Sequence, residues 1–351
     1  MKNNKSVYHN VLQMIGQTPL LKLNKSVRNY KGEYFAKYEA YNPGHSSKDR
    51  ISLYIIEKLE ERGILKSGST IIETTSGNTG FSLAMVSIIK GYDCALAVTS
   101  KSSIDKIDML RAMGATIYVC PANVSPEDPR SYYQVAKRLN NEIKDSIYIN
   151  QYFNDLNTEA HYMTTGKEIW DQTNGKITHL VACSGTGGTI SGCAKFLKEK
   201  NPKIKIIGVD AYGSVLKKFH ETKVLDLNEI YPYRITGIGK NLIPSTTYFD
   251  LIDHFEKVND EESAHRARKV TSYEGILIGY TSGAAMQALC QLNKKKYFDK
   301  KSMVVIVFPD HGSRYMSQIY NENWMEKQGF MNSSKNHPQK IEYIDNTSEK
   351  K

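Results

Sequence analysis

The chain has 351 residues, of which 40% are hydrophobic and 24% charged, and it carries a formal net charge of +10. These fractions are ordinary for a globular protein and exclude a disordered, collagen-like or disulfide-scaffold chain. Beyond roughly 250–300 residues, a hydrophobic core tends to divide into two lobes.

The basic charge is local. Residues 1–10 carry +2, residues 331–351 carry +1 and the stretch NKKKYFDKK at 293–301 carries +4, which leaves +3 for the rest of the chain. A nucleic-acid interface needs basic residues interleaved with exposed aromatic residues along one face. A single lysine cluster is more typical of a solvated helix end, so we expect small-molecule partners and no nucleic acid.

The sequence offers no signal for a membrane, for export or for a metal. No run of about 18 apolar residues predicts a membrane helix, and the start MKNNKSVYHN lacks the apolar region of a secretion signal. The nine histidines show no HExxH spacing, so no metal site is expected. The five cysteines, which are widely spaced and never CxxC, indicate reduced thiols and a cytoplasmic location: Cys94, Cys120, Cys183, Cys193 and Cys290.

In chain order, apolar runs of strand length alternate with segments of helical periodicity. Strands are predicted at 35–40, 69–75, 94–99, 115–120, 179–184, 205–211 and 303–309. Helices are predicted near 48–62, 79–90, 104–113 and 131–144, with another after residue 184. This alternation indicates an α/β fold with mainly parallel sheet, which binds ligands at the carboxyl ends of its strands.

The segment NPGHSSKDR (42–50) places Lys48 at the start of a predicted helix. The positive end of the helix dipole disfavours protonation of an amine there. A neutral amine is what a Schiff base requires. On these residues alone, a solvated first-turn lysine is the favoured interpretation.

Two further Gly-rich segments each join a strand to a helix. TTSGNTG (74–80) exposes backbone N–H groups and hydroxyls that suit a carboxylate, although a capped turn would have the same composition. SGTGGT (184–189) suits a phosphate, because so much glycine costs stability unless a ligand must approach the backbone. It is neither a P-loop, since no GK[ST] follows, nor a Rossmann GxGxxG, since residue 190 is not glycine.

Together the three segments resemble those of the fold-type II pyridoxal-phosphate (PLP) enzymes, the cysteine synthase and cystathionine β-synthase family. The resemblance covers about residues 10–330 and includes IGQTPLLKLN (15–24), NQYFNDLN (150–157), GIGKNLIP (237–244) and FPDHGSRYMSQIYNENWMEKQGF (308–330). The last stretch is closer to cystathionine β-synthases than to bacterial cysteine synthases, and the length is closest to the short bacterial forms.

The resemblance implies the architecture of the whole chain. We expect one catalytic unit at 8–330, tryptophan synthase β-like, with a smaller lobe at about 46–150 and a larger lobe at about 8–45 plus 151–330. Each lobe would hold a mainly parallel sheet flanked by helices. Residues 331–351 are polar and lack periodicity, so they are predicted to form a disordered tail. The resemblance also implies a homodimer.

The resemblance further implies a role for each matching residue. Lys48 would form the Schiff base with PLP and move protons at the substrate Cα and leaving group, and Asn78 would bind the phenolic oxygen. The hydroxyl of Thr281 would meet the pyridine nitrogen and leave the ring a weaker electron sink, which favours β-elimination over transamination. The phosphate would be held by Gly185, Thr186, Gly187, Gly188 and Thr189. The amino-acid carboxylate would be bound by Thr75, Ser76, Gly77, Thr79 and Gln151, and Tyr152 would line the site of the incoming nucleophile.

Three positions depart from the family pattern. His45 stands where the family usually has a glycine, Thr236 where cystathionine β-synthases carry a glutamate, and Tyr280 where a glycine precedes the ring-nitrogen hydroxyl. His45 is either a proton donor or carboxylate ligand, or simply a loop histidine. We expect Thr236 and Tyr280 to reshape the pocket of the second substrate.

The activity predicted first is β-replacement on serine or an O-activated serine through an aminoacrylate intermediate, with homocysteine adding to give cystathionine. The alternatives keep the cofactor but change the acceptor: sulfide with O-acetylserine (cysteine synthase), cysteine, or an amine. A nucleic-acid binder and a catalytically dead partner-binding homologue are the alternatives without enzymatic activity, and retention of Lys48, Asn78 and the phosphate loop argues against the second.

Overall fold

The structure, a computed structural model, describes residues 7–75, 77–102, 104–125 and 127–331. Ser76, one of the predicted substrate-binding residues, lies outside the described residues. The predicted tail also lies outside them, except for residue 331.

Ten strands form two separate sheets in the described part of the chain. They are β1 (Leu20–Lys22), β2 (Glu33–Tyr38), β3 (Thr70–Thr74), β4 (Asp93–Thr99), β5 (Thr116–Cys120), β6 (Ser146–Tyr148), β7 (His179–Cys183), β8 (Lys205–Ala211), β9 (His254–Val258) and β10 (Met303–Phe308). The smaller sheet has the order β5-β4-β3-β6 and is entirely parallel. The larger has the order β1-β2-β10-β7-β8-β9, and only β1 runs antiparallel to its neighbour. The predicted α/β class with mainly parallel sheets is thereby confirmed.

The strands alternate with helices, as parallel strands require a crossover connection. The helices are α1 (Lys48–Glu61), α2 (Asn78–Lys90), α3 (Ile104–Ala112), α4 (Tyr132–Glu142), α5 (Asp155–His161), α6 (Lys167–Gln172), α7 (Gly188–Lys200), α8 (Leu216–Thr222), α9 (Asp260–Glu274), α10 (Tyr280–Lys294) and α11 (Glu322–Lys327). A π-helical segment, Tyr162–Gly166, joins α5 to α6. No described helix is long and apolar enough to cross a membrane.

Apolar side chains cover both faces of each sheet. In the central strand β3, Ile71 packs into one hydrophobic cluster and Ile72 into another, because successive side chains point to opposite faces. In β10, Ile306 and Val307 likewise belong to different clusters. Burial on both faces explains why these strands appear in the sequence as continuous apolar runs rather than alternating ones.

The two sheets direct their carboxyl ends toward one cavity. Thr74 and Thr99 end their strands in the smaller sheet, Cys183 ends β7 in the larger one, and all three line the cavity. Pro309 and Asp310, which follow β10, line it as well. The fold therefore places the carboxyl ends of four different strands around one cavity, as open α/β sheets do at their ligand sites.

Candidate active site

The cavity has a volume of about 1010 Å³ and gathers most of the predicted site residues. Its lining includes Lys48, Thr75, Gly77, Asn78, Thr79, Gln151, Tyr152, Gly185, Thr186, Gly187, Thr189 and Thr281. Gly188, the first residue of α7, is not part of the lining. Residues from widely separated parts of the sequence thus meet at one site.

Lys48 is the first residue of α1 and is partly buried. Burial lowers the pKa of its amine, and the nearby positive charge of Lys240 lowers it further, while Asp310 and Glu39 act in the opposite direction. A lowered pKa keeps more of the amine neutral, which is the form that attacks a carbonyl carbon.

A buried cluster of charges fixes α1 against the larger sheet. Arg50, two residues after Lys48, donates to Glu39 Oε2 at 2.6 Å and to Glu168 Oε1 at 2.6 Å. Lys37 Nζ donates to the other Glu168 oxygen at 2.6 Å. Burial alone would raise the pKa of Glu39, but Arg50, Lys37 and a hydrogen bond from Thr18 bring it down to about 2. The cluster therefore positions the helix that carries Lys48.

Asn78 is held by a carboxylate that the sequence analysis missed. Its Nδ2 donates to Asp310 Oδ2 at 2.8 Å, and the hydroxyl of Tyr315 donates to the same oxygen at 2.7 Å. Burial raises the pKa of Asp310, although both hydrogen bonds oppose the rise. Gly279 makes room for this carboxylate, since a Cβ at residue 279 would collide with Asp310 Oδ1. The position of Asp310 directly after a buried parallel strand was the available sequence signal.

The predicted phosphate loop needs its glycines. Gly187 has φ +88°, and a Cβ there would collide with Thr247. A Cβ on Gly188 would collide with Asn157, and one on Gly185 would lie 2.6 Å from the carbonyl oxygen of Gly237. The loop leads into α7, a helix of 13 residues, whose N-terminus favours an anion.

Hydrogen bonds with Asn157 and His161 hold the hydroxyls of this loop in place. Thr186 Oγ1 accepts from Asn157 Nδ2 at 3.2 Å and from the Gly188 N–H at 3.3 Å. Thr189 Oγ1 lies 3.0 Å from Nε2 of His161, whose Nδ1 lies 2.8 Å from Thr165 Oγ1. Burial lowers the pKa of His161 to about 3, so its ring is neutral. The loop is therefore an oriented site that suits a phosphate.

The residues predicted to bind a carboxylate lie around the start of α2. Thr75 Oγ1 accepts from the Gly77 N–H at 3.1 Å, and Thr79 Oγ1 donates to Gln151 Oε1 at 2.8 Å. α2 has 13 residues, and Gly77 is its N-cap. A helix N-terminus with hydroxyls and an amide beside it suits an amino-acid carboxylate.

The three departures from the family pattern have different surroundings. His45 has φ +59°, in the left-handed region where glycine is favoured, and its exposed ring lies 5.6 Å from that of His311. Thr236 lines the cavity. Tyr280 is fully buried, donates to the Asp260 carbonyl at 2.9 Å and is not part of the cavity lining. Of the two residues expected to reshape the pocket, only Thr236 faces it.

Three cations of the cavity were also missed: Lys106, Lys240 and Arg314. Arg314 donates to the carbonyl of Gly44 at 2.6 Å and lies 5.0 Å from the centre of the Phe81 ring. Burial lowers the pKa of Lys106, while the charge of Asp310 opposes this. Lys240 and Arg314 lie in segments that resemble the family, at 237–244 and 308–330, but only the tertiary structure brings them and Lys106 to one cavity.

The donor set fits PLP. A partly buried amine at Lys48 suits its aldehyde, the amide of Asn78 suits its phenolic oxygen, and the 185–189 loop suits its phosphate. The glycines let this loop pack closely on the residues around it, because an added Cβ at residue 185, 187 or 188 would collide with Gly237, Thr247 or Asn157.

These features define a class of enzyme. The chain belongs to the family described as pyridoxal-phosphate dependent enzymes, whose model matches residues 11–310. The predicted family and cofactor are therefore confirmed.

Its relatives include cystathionine beta-synthases of animals and yeast. Those of Apis mellifera and Mus musculus are each 44% identical to the chain over 323 residues, or 92% of it. That of Saccharomyces cerevisiae is 39% identical over 328 residues, or 91%. The chain spans only 63%, 57% and 64% of those three proteins, less than two-thirds of each. Among solved structures, a hydrogen sulfide-producing enzyme from Fusobacterium nucleatum matches with a TM-score of 0.80 and 32% identity, covering 88% of this chain and all of that one.

Substituting Gly187 by alanine is expected to weaken PLP binding at least about tenfold, because the new Cβ would push the phosphate loop away from Thr247. Gly68→Ala is a matched control, since Gly68 also has a positive φ, of +78°, but no atom lies near its missing Cβ. The control should lose about 1 kcal/mol of stability and keep its PLP affinity. Titration of the two apoenzymes with PLP measures the effect, and equal affinities would refute the assigned role of the loop.

Proposed function

We propose that this enzyme catalyses a β-replacement that condenses serine, or an O-activated serine, with homocysteine to form cystathionine. One observation carries the proposal: Lys48 lies in a single cavity between a loop suited to a phosphate and a helix N-terminus suited to a carboxylate. The identity of 39–44% to cystathionine beta-synthases over most of the chain supports the choice of reaction.

Lys48 and Asn78 have different roles in this reaction. When bound, PLP supplies the electron sink that allows serine to lose its β-substituent. Lys48 Nζ takes the proton from the donor Cα and delivers it to the leaving hydroxyl. Its lowered pKa keeps the amine neutral, and the neutral amine is the form that can accept that proton. Asn78, held by Asp310, orients the phenolic side of the cofactor.

The donor carboxylate is bound by Thr75, Ser76, Gly77, Thr79 and Gln151. Of these, the four described residues line the cavity. The hydrogen bond between Thr79 and Gln151 joins the start of α2 to the segment after β6, so the two sides of this cradle are held together. Held there, the donor keeps its Cα proton within reach of Lys48, and positioning of this kind lowers a reaction barrier.

A second candidate replaces homocysteine by cysteine as the acceptor and gives lanthionine. Hydrogen sulfide is released when another cysteine takes the place of serine as the donor, because its β-thiol is then the leaving group. The structural match to a hydrogen sulfide-producing enzyme favours this candidate. A third candidate, the cysteine synthase reaction of O-acetylserine with sulfide, has no comparable support from the relatives named above.

Competition among acceptors tests the proposal. The holoenzyme is given isotope-labelled serine or O-acetylserine with equal concentrations of unlabelled sulfide, cysteine and homocysteine, and the labelled products are quantified by mass spectrometry. We expect cystathionine to be the main product. Lanthionine as the main product would establish the second candidate, and cysteine formed from O-acetylserine by a wide margin would overturn both.

We further propose that the enzyme is a homodimer and that it is located in the cytoplasm. The five unpaired cysteines support a reducing compartment. Light scattering on the eluted protein tests the dimer: a mass of one chain would overturn it.

We also propose that the chain divides into a lobe at about 46–150 and a lobe at about 8–45 plus 151–330. The smaller sheet, built from strands between residues 70 and 148, supports the lobe boundaries.

A further inference from the structure

Lys240 presents an ammonium group to the active-site cavity, and no counter-ion accompanies it in the part of the chain that the structure describes. It is partly buried, lines the cavity, and donates to the hydroxyl of Tyr152 at 2.8 Å. Its Nζ lies 4.3 Å from the centre of the Tyr152 ring. Within the described ranges, no carboxylate lies within 4.0 Å of this nitrogen, and Tyr152 is its one hydrogen-bond acceptor. An ammonium carries three N–H donors, so two remain for a ligand.

The rest of the cavity offers this cation little compensation. Its lining contains the basic residues Lys48, Lys106, Lys240 and Arg314, whereas Asp310 is the one carboxylate among the described lining residues. Asp310 already accepts hydrogen bonds from Asn78 and Tyr315. A partly buried charge without a partner is costly, and the excess of positive charge favours anionic ligands.

The other anion-binding positions of the site already have their ligands under the proposed function. The 185–189 loop takes the phosphate of the cofactor, and the start of α2 takes the carboxylate of the donor. Lys240 belongs to neither segment. It lies instead beside Tyr152, on the side expected to receive the nucleophile.

We propose that Lys240 binds the carboxylate of the second substrate, and that the acceptor is therefore a thiol that carries a carboxylate rather than free sulfide. This inference rests on the proposed function for the location of the acceptor. Tyr152 is the positioning residue, because its hydroxyl and ring hold the Lys240 ammonium from one side. A charge-assisted hydrogen bond of this kind gives both affinity and orientation.

Two thiols of equal length test the inference. 4-Mercaptobutanoate has the chain and carboxylate of homocysteine but no amine, so it cannot replace the donor on the cofactor. 4-Mercaptobutanol has a neutral hydroxyl in place of the carboxylate. Both are assayed as acceptors with the holoenzyme, and binding of 4-mercaptobutanoate to the holoenzyme is also measured by calorimetry. The variants are Lys240→Gln, Lys240→Arg and, as a control, Lys203→Gln, which alters an exposed lysine.

We expect the wild type to prefer 4-mercaptobutanoate. Lys240→Gln should lower kcat/KM for that thiol about tenfold to hundredfold, mostly through KM, and weaken its calorimetric binding to the same extent. The value for 4-mercaptobutanol should change less than about threefold, Lys240→Arg should recover most of the preference, and Lys203→Gln should match the wild type.

Two outcomes would overturn the inference. In the first, Lys240→Gln affects both thiols equally. In the second, the PLP affinity of Lys240→Gln falls in step with its activity, which would assign Lys240 to the cofactor phosphate. Failure of the proposed function is distinguishable from both outcomes. If the wild type forms no cystathionine but prefers 4-mercaptobutanoate, and Lys240→Gln lacks that preference, the proposed reaction is refuted and the role of Lys240 is retained.

Discussion

Lys48→Ala is expected to abolish the visible absorbance of the purified enzyme and to lower kcat by about 10³-fold or more. The substitution removes both the amine that links to the cofactor and the group that moves the proton at the donor Cα, and a positioned acid–base group alone contributes about 10²- to 10⁴-fold. Absorbance spectra and the rate of cystathionine formation are the measurements.

Lys106→Ala is the matched control for the spectrum, because Lys106 is another lysine of the same cavity whose pKa is lowered by burial. It should retain the visible absorbance. If Lys48→Ala kept its colour while Lys106→Ala lost it, the assignment of Lys48 would be wrong and Lys106 would carry the cofactor.

Arg50→Met is expected to lower the free energy of unfolding by about 3–5 kcal/mol, the usual cost of leaving a buried charge without its partner. Glu39 is fully buried and accepts two hydrogen bonds from the Arg50 guanidinium, at 2.6 and 2.9 Å. Denaturant unfolding at pH 7 measures the loss. Arg138→Met, which removes an exposed arginine 3.8 Å from Glu142, should stay within about 0.5 kcal/mol of the wild type.

The stability lost in Arg50→Met is expected to depend on pH in a definite direction. The folded-state pKa of Glu39 is about 2, below its ordinary value of 4.5, so the stabilisation is complete above about pH 4.5 and is lost as the pH falls toward 2. Without Arg50, burial raises the pKa of Glu39 instead. The difference between the variant and the wild type should therefore be larger at pH 7 than at pH 4. A difference that is small and independent of pH would show that the cluster does not stabilise the fold.

The sequence predicted the parts of the site that are formed by short continuous segments. The 42–50, 74–80 and 184–189 segments each follow a strand or turn, and parallel strands bring their carboxyl ends to one edge of a sheet. The strands before these segments belong to two sheets, so it was the resemblance to the PLP family that predicted Lys48, Asn78 and Gly187 in one site. The glycine at residue 187 was informative because φ +88° and the contact with Thr247 exclude a side chain.

The residues that were missed depend on long-range contacts. Asp310 reaches Asn78 across 232 positions of sequence, and Lys240 reaches Tyr152 across 88. These residues lie in segments that resemble the family, but nothing in the local sequence pairs each one with its distant partner. The short strands β1 and β6, of three residues each, were not predicted because three residues carry too little periodicity. The burial of Tyr280 away from the cavity likewise follows from packing against Tyr315, with ring centres 6.4 Å apart.

Three of the described residues that line the cavity are lysines, so the most direct test is to identify the one that bears the cofactor. The holoenzyme is reduced with borohydride, which makes the link to the cofactor permanent, and then digested and sequenced by mass spectrometry. We expect a pyridoxyl group on Lys48, within the segment NPGHSSKDR. A pyridoxyl group on Lys106 or Lys240, with Lys48 unmodified, would contradict this prediction.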